Sequence, residues 1–221
     1  MSKARRPAGG AAAALGTALA VLVATACTRD IAGVPVLPYT ETPGPPVTLA
    51  LHADDLMLDL ERIRGITGTG RNLTAIPTMD ASAPVDIDLL ADDVPAPCRF
   101  VFAETATFGP EVADFHKTTY QAPPDSGVIS QGAAVYRDPA AARRAFESLA
   151  GQAEGCAATG SGVVLLGAAE SGPDRVRTRT GSGCGRDYRL KSVVLAEITF
   201  CAFPASVPEI VMTNLLRAVP G

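Results

Sequence analysis

The stretch CGRDYRLKSVVLAEITFC, residues 184–201, decides the fold. From Val193 to Cys201 apolar side chains occupy every second position, which is the period of a strand with one face in the core. The residues expected to face the core are Val194, Ala196, Ile198 and Phe200, and those expected on the other side are Glu197 and Thr199. Because a cysteine stands at each end, the stretch is predicted to be a hairpin-like segment whose ends a disulfide can join.

Two further strands are predicted upstream of this stretch. Residues 115–121 and 128–136 are rich in Thr, Val, Ile and Tyr, as strands are. The residues between them that are typical of a turn are Pro123, Pro124, Asp125 and Gly127. Residues 73–76 predict one more short strand.

A long helix is predicted after Asp138, which is a good N-cap residue and is followed by Pro139 at the first helical position. Apolar residues at helical spacing then lead to Cys156, and they are Ala142, Phe146, Leu149 and Ala153. These side chains are expected to line the buried face of the helix.

Two shorter helices are predicted near the ends of the domain. The first carries apolar residues at i, i+4 and i+7, namely Leu56, Leu60 and Ile63. The last is expected to open at a capping box, Ser206 to Glu209. Its residues expected to face inward are Ile210, Val211 and Leu215.

Hairpin-type strands mixed with helices, without βαβ alternation, predict an α+β fold in which an antiparallel sheet packs with helices. The acidic stretch from Asp80 to Pro97 is expected to be a solvated loop, and Cys98 to Phe108 fits either a short helix or a strand. The folded domain is predicted to span residues 48–221, which is long enough for a core of its own.

Four cysteines belong to this domain: Cys98, Cys156, Cys184 and Cys201. An even number in an exported chain predicts two disulfides and leaves three possible connectivities. We expect Cys98–Cys156, which clips the long helix to an earlier element, and Cys184–Cys201, which joins the ends of one segment. Zinc is the alternative, but the chain has no CxxC motif and only two histidines, so no metal is expected.

The first 26 residues have the features of a secretory signal peptide. Lys3, Arg5 and Arg6 precede an uncharged run over residues 11–24, which is shorter than the roughly 20 residues of a membrane-spanning helix. Residues 24–27, Ala-Thr-Ala-Cys, resemble a bacterial lipobox, in which Cys27 is acylated and becomes the mature N-terminus. The same residues also satisfy the small-x-small rule of ordinary cleavage, which would release a secreted protein.

Residues 27–47 are expected to form the lipidated N-terminus and a tether. Five prolines fall within this region, and they are Pro35, Pro38, Pro43, Pro45 and Pro46. A Pro-rich spacer of this length extends at about 3.1 Å per residue, so it can hold the domain up to roughly 60 Å from a membrane. The expected location is therefore the extracytoplasmic face of the cell membrane, with lipid anchoring through Cys27.

Charge and motif content exclude several classes of function. Removal of residues 1–26 leaves 16 basic and 23 acidic residues, a net charge of −7, so no nucleic-acid partner is expected. No Ser lies in a GxSxG frame, and the cysteines are assigned to disulfides. His116 is interpreted as a surface or core-edge residue and His52 as part of the start of the first helix. Neither an enzyme nor a cofactor is predicted.

Positive charge is concentrated between Arg175 and Lys191. Arg175, Arg177 and Arg179 alternate, so in a strand they lie on one face as a row of guanidinium groups. Such groups suit carboxylates and phosphates, which makes the row a candidate anion-binding site. The alternative is a solvated strand face balanced by the acidic stretch Asp80 to Asp93.

The combined pattern resembles the PknH-like extracellular (sensor) domain family, which is found in a mycobacterial serine/threonine kinase and in mycobacterial lipoproteins. The features that carry the resemblance are the helix over 51–63, residues 74–79, Pro97-Cys98, the strand over 128–136, the helix over 139–156, the Arg-containing loop at Cys184 and the strand over 193–203. The resemblance covers about residues 48–219. It implies two disulfides, a helix–sheet fold and a surface cleft for an unidentified ligand.

This chain departs from the family in one respect. The family helix before the second cysteine often carries Trp, whereas this chain has no Trp, and Phe146 or Leu149 is expected to fill that space.

We therefore expect an envelope-anchored lipoprotein with a non-enzymatic ligand-binding or sensor domain that takes a small molecule, lipid or glycan fragment. The second hypothesis is a protein-interaction or scaffold lipoprotein without a pocket, whose partner is another envelope protein. The third is an envelope hydrolase. A large apolar cleft favours ligand binding, and a clustered His, acid and Ser favours the hydrolase.

Overall fold

The computed structural model describes residues 51–123 and 126–220. The predicted signal peptide, Cys27, the predicted tether over residues 27–47 and the turn residues Pro124 and Asp125 lie outside this part of the chain. Within it the strands are β1 (Thr74–Ala75), β2 (Val112–Ala122), β3 (Gly127–Tyr136), β4 (Ala168–Ser171), β5 (Arg175–Arg179), β6 (Cys184–Lys191) and β7 (Val194–Cys201). The helices are α1 (Leu60–Thr67), α2 (Asp88–Asp92), α3 (Glu104–Phe108), α4 (Pro139–Ala157), α5 (Gly160–Leu165) and α6 (Ser206–Arg217).

The described strands form a seven-stranded sheet in the order β1-β2-β3-β7-β6-β5-β4. Every neighbouring pair is antiparallel. The two long hairpins, β2–β3 and β6–β7, meet where β3 pairs with β7 at the centre of the sheet. This arrangement confirms the predicted α+β fold with an antiparallel sheet.

One face of the sheet is covered by α1 and α6. Ile63 of α1 and Leu215 of α6 are fully buried in this core. The side chains that β7 contributes are the four predicted ones: Val194, Ala196, Ile198 and Phe200.

The opposite face is covered by α4 and by the segment before β2. Phe146 and Leu149 of α4 pack in a second core with Phe100, Tyr188 and Leu195. The outer side of β7 is therefore covered as well, and Glu197 on that side is almost completely enclosed. It accepts a hydrogen bond from the Thr199 hydroxyl at 2.7 Å, which helps to satisfy the buried carboxylate.

The start of α4 forms as its sequence predicts. The Asp138 carboxylate accepts a hydrogen bond from the Ala141 amide at 2.8 Å, and Pro139 occupies the first turn. The last turn is tied by the disulfide Cys98–Cys156 to the 3₁₀ turn Ala96–Val101.

The second disulfide, Cys184–Cys201, joins the paired ends of β6 and β7. Both disulfides join the partners expected from the sequence. With sequence separations of 58 and 17 residues, loop-closure entropy alone makes them worth about 4 and about 3 kcal/mol respectively.

Several boundaries differ from the predictions. The first helix begins only at Leu60, because Asp59 caps it by accepting from the Arg62 amide at 2.7 Å, and Leu56 lies in a separate 3₁₀ turn. The acidic stretch Asp80 to Pro97 contains the short helix α2. For residues 98–108, where a short helix and a strand were both possible, the structure has the 3₁₀ turn Ala96–Val101 followed by α3.

The predicted capping box of the last helix is wrong. No side chain caps α6, and Ile210 is exposed rather than directed inward, whereas Val211 and Leu215 are buried as predicted. Glu209 contacts arginines of the sheet instead. None of the helices in the described residues has the length and apolar character needed to cross a membrane.

Candidate functional site: the arginine face

Four arginines occupy one side of the sheet near its β4 edge, and we call them the arginine face: Arg175, Arg177, Arg179 and Arg189. Val176 and Thr178, which alternate with the first three on β5, are buried on the opposite side. Arg189 of β6 stands directly across from Arg175. The predicted row of guanidinium groups therefore exists and is extended by a fourth member.

Asp187 holds the middle of the arginine face. It pairs in register with Arg177, and its side chain is fully buried. Its carboxylate accepts from Arg177 Nε at 2.8 Å and from Arg179 Nη2 at 3.1 Å. A buried carboxylate needs such partners, because its desolvation would otherwise cost several kcal/mol. These contacts hold the side chains of Arg177 and Arg179 against the sheet.

Glu209 of α6 reaches over the sheet and joins three of the arginines. Its carboxylate oxygens lie 2.6 Å from Arg189 Nη2, 2.8 Å from Arg177 Nη2 and 3.1 Å from Arg175 Nη2. The hydrogen bond from Arg189 is the main reason why the pKa of Glu209 is lowered, and Arg177 contributes to the same effect. Burial acts to lower the pKa of Arg177, but its contacts with Asp187 and Glu209 outweigh burial, so that pKa is raised.

Arg179 also contacts an aromatic ring of the sheet. Its guanidinium carbon is 4.6 Å from the centre of the Phe200 ring, within the range of a cation–π contact. Gly185 makes this possible, because a Cβ at that position would lie 2.8 Å from Arg179 Nη1 and 2.9 Å from Phe200 Cζ. The glycine thus leaves room for the arginine to stack.

The arginine face carries more positive than negative charge. Its four guanidinium groups contact two carboxylates, those of Asp187 and Glu209. In the described part of the chain, the Nε atoms of Arg175 and Arg189 are buried without a hydrogen-bond partner. Buried N–H groups are normally satisfied, so the hydrogen bonding of the arginine face is incomplete. The side chain of Arg175, 34% of which is exposed, is the part of the face most open to a further acceptor.

The acidic stretch does not balance the arginine face, contrary to the alternative considered from the sequence. Among the described contacts of that stretch, Asp92 pairs with Arg99 at 2.9 Å and Asp80 with His116 at 3.1 Å. Asp86 is occupied by the amide and hydroxyl of Thr105. The counter-charges of the arginines come from β6 and α6 instead.

A separate cavity of about 390 Å³ opens beside α1. Its lining consists of Glu61, Arg64, Gly65, Gly70 and Arg71. Arg64 is already engaged there, because it pairs with Glu61 and donates two hydrogen bonds to the carbonyl of Leu73. Three of its lining residues are charged and two are glycines, so the cavity lacks the hydrophobic and aromatic side chains that are typical of small-molecule sites.

Both histidines contact aspartates. His52 lies 3.3 Å from Asp114, and His116 lies 3.1 Å from Asp80 and 3.6 Å from Asp54. Neither histidine hydrogen-bonds a serine, threonine or cysteine within residues 51–123 and 126–220. In the same residues no three His, Cys, Asp or Glu side chains converge as a metal site would require.

Reasoning from the sequence finds the arginine row but misses its two carboxylates. Asp187 could have been recognised, because it alternates with Arg189 and Lys191 and so shares their side of β6. The sequence pattern assigns Glu209 to a helix cap, and only the packing of α6 over the sheet shows its contacts. Cys27 lies outside the described residues.

Comparisons with known proteins give a consistent result. A profile of the PknH-like extracellular domain matches residues 50–217. No curated protein sequence matches the chain. Among solved structures, the extracellular domain of PknH from Mycobacterium tuberculosis is similar, with a TM-score of 0.54 over 75% of this chain and 93% of that chain. At 10% sequence identity this likeness concerns the fold alone. The profile match extends over most of the sequence and over nearly all of the described domain, and this chain is therefore a member of the PknH-like extracellular domain family.

Proposed function

We propose that this protein is an extracytoplasmic binding domain, lipid-anchored through Cys27, whose arginine face recognises an anionic group of a small molecule, lipid or glycan. The observation that carries the proposal is the unbalanced charge of the arginine face. Four guanidinium groups share two carboxylates, and two buried Nε–H donors have no partner in the described structure. A phosphate or carboxylate of a ligand would supply negative charge and would accept hydrogen bonds from the exposed part of the Arg175 guanidinium group.

The four arginines have different roles in this proposal. Arg177 and Arg179 hold the buried Asp187, so their first role is structural. Arg175 is the most accessible member, with 34% of its side chain exposed against 25% for Arg177 and 19% for Arg189. It also shares Glu209 with two other arginines, so it is the member that can turn toward a ligand at least cost to the fold.

The expected location of the protein also supports the proposal. Members of the family are extracellular domains, and the basic N-terminus, uncharged run and Cys27 of this chain fit delivery to the same side of a membrane. A ligand of the envelope would therefore be within reach of a tethered domain.

The test is native mass spectrometry of the protein purified from its own envelope. We expect an anionic molecule to co-purify with the unaltered protein and to be lost from Arg175→Gln. The matched control is Arg71→Gln, which removes an exposed arginine at the α1 cavity and should leave the co-purifying mass unchanged.

Retention of the same molecule by Arg175→Gln, or its loss from Arg71→Gln, would contradict the assignment to the arginine face. Charge reversal at Arg177 or Arg179 is not a suitable test, because a new carboxylate beside buried Asp187 would unfold the strand pair.

A further inference from the structure

A second surface of the domain exposes several apolar side chains. Hydrogen bonds to the rest of the domain hold the backbone that carries them. Within residues 85–90, which we call the apolar arm, Val85 is 53%, Ile87 54%, Leu89 79% and Leu90 43% exposed. Single exposed apolar residues are common, but four within six positions are not, and such clusters mark interaction sites.

The backbone of the apolar arm is fixed to the rest of the domain. The Val85 amide donates to the Glu104 carboxylate at 2.8 Å, and the Ile87 amide donates to the Phe102 carbonyl at 2.8 Å. Between them, Asp86 accepts hydrogen bonds from both the amide and the hydroxyl of Thr105. The exposure of the apolar side chains is therefore imposed by the fold.

The fixed backbone of the apolar arm favours the binding of a partner. The cost of forming an interface includes ordering its side chains and loops, and here the fold already holds the backbone of the segment. Ala91 is the buried residue of α2, whereas Leu89 and Leu90 keep 79% and 43% of their surface exposed and are open to a partner.

Charge indicates which partner fits. Residues 80–97 contain five acidic residues, Asp80, Asp86, Asp88, Asp92 and Asp93, and no lysine or arginine. Leu89 and Leu90 thus stand between the exposed residues Asp88, Asp92 and Asp93. Asp92 pairs with Arg99, whereas no ion pair in the described residues involves Asp88 or Asp93. These groups would repel an anionic membrane surface. A segment with apolar residues flanked by Lys or Arg would instead bury apolar surface against the arm and place its positive charges near the aspartates.

We infer that the apolar arm docks an amphipathic, basic segment of another protein, with Ile87 and Leu89 as its main apolar contacts. The acidic residues around them steer the partner and fix its orientation, and the apolar side chains supply the affinity. This surface shares no residue with the arginine face, so the inference is independent of the proposed anionic ligand.

The experiment uses the whole extracytoplasmic chain and a labelled synthetic peptide of about 14 residues, with Leu on one helical face and Lys on the other. We expect the unaltered protein to bind it and Ile87→Ser/Leu89→Ser to bind it roughly tenfold or more weakly, since burial of one such side chain is worth that much affinity. The peptide with Glu in place of Lys should not bind.

The control is Val163→Ser/Val164→Ser on α5, where two valines are 71% and 77% exposed but lie in an uncharged segment. This variant should bind the Leu/Lys peptide as the unaltered protein does. Equal weakening by both variants, or no binding to the unaltered protein, would overturn the inference. So would binding of lipid vesicles or self-association that depends on Ile87 and Leu89, because either would assign the arm to another occupant.

Amide chemical shifts of the unaltered protein provide a readout that needs no variant. Titration with the Leu/Lys peptide should move the signals of residues 85–93. Shifts confined to other residues would show that the peptide binds elsewhere and would equally overturn the inference.

Discussion

At the scale of single residues, the arginine face shows how one buried carboxylate organises its neighbours. The Asp187 side chain is fully buried, and Arg177 and Arg179 donate the hydrogen bonds that its carboxylate needs. Glu209 then contacts Arg175 and Arg189, and it shares Arg177 with Asp187. The alternation of residues along β5 predicts the row, but it contains no information about which carboxylate each arginine will meet.

Glu209→Gln is predicted to lower the free energy of unfolding by about 1 kcal/mol at neutral pH, a modest value because 42% of its side chain is exposed. Contact with Arg189 and Arg177 lowers the pKa of Glu209, so its stabilisation is present above the ordinary pKa of 4.5 and is lost as the pH falls below it. The difference between the two proteins should therefore shrink below about pH 4.5. Urea unfolding from neutral to acid pH measures it.

Glu170→Gln is the matched control for this prediction. Glu170 lies on β4 opposite Arg177 in register but is exposed. Its replacement should change the free energy of unfolding by no more than about 0.5 kcal/mol at any pH. A pH-independent loss in Glu209→Gln would mean that Glu209 contributes packing and not charge.

At the scale of elements, strands and helices are predictable from the sequence where one chemical pattern dominates. The alternation in β7 and the Asp138-Pro139 start of α4 are examples, because each depends on residues close in sequence. The second core was not predictable from β7, since Glu197 is polar and its burial depends on partners such as the Thr199 hydroxyl. The predicted capping box of α6 is wrong for a related reason. Glu209 pairs with three arginines that are distant in sequence, and the local pattern does not indicate these contacts.

Gly185→Ala tests how closely β5 and β6 approach at the arginine face. The new Cβ would overlap the Thr178 carbonyl oxygen, a backbone atom that cannot move without breaking the strand pair. We expect a net loss of about 1 to 2 kcal/mol, which is an overpacking cost partly offset by the lower entropy of the unfolded chain. The urea midpoint measures this loss.

Gly181→Ala in the turn between the same strands is the control. No atom lies within 4 Å of a Cβ added there, so the free energy of unfolding should stay within about 0.5 kcal/mol of the unaltered protein. Equal stability of the two variants would show that β5 and β6 separate more easily than the structure indicates.

At the scale of the whole molecule, two surfaces with opposite charge belong to one domain. The arginine face is cationic and lies near the β4 edge of the sheet, whereas the apolar arm is acidic and is bonded to the segment before β2. Because the two surfaces share no residue, the proposed anionic ligand and the proposed basic partner would not compete for the same contacts. The net charge of the chain argues against nucleic acid as a partner. It does not show that cationic and acidic residues lie on separate surfaces, because that separation depends on how distant segments pair.

The proposed lipid anchor would determine which molecules these surfaces can reach. Acylation of Cys27 would hold the protein on the membrane through about 0.8 kcal/mol per buried methylene, provided that more than one chain is attached. We predict that the mature N-terminus begins at Cys27 with an acyl mass, as intact-mass measurement would detect. Cys27→Ser should release the protein into the medium, because the small residues before it still permit ordinary cleavage. The matched control is Thr28→Ser, a conservative change next to the site that leaves the thiol in place, so this variant should remain membrane-bound. A mature chain that begins near residue 27 without acyl mass would instead identify a secreted protein.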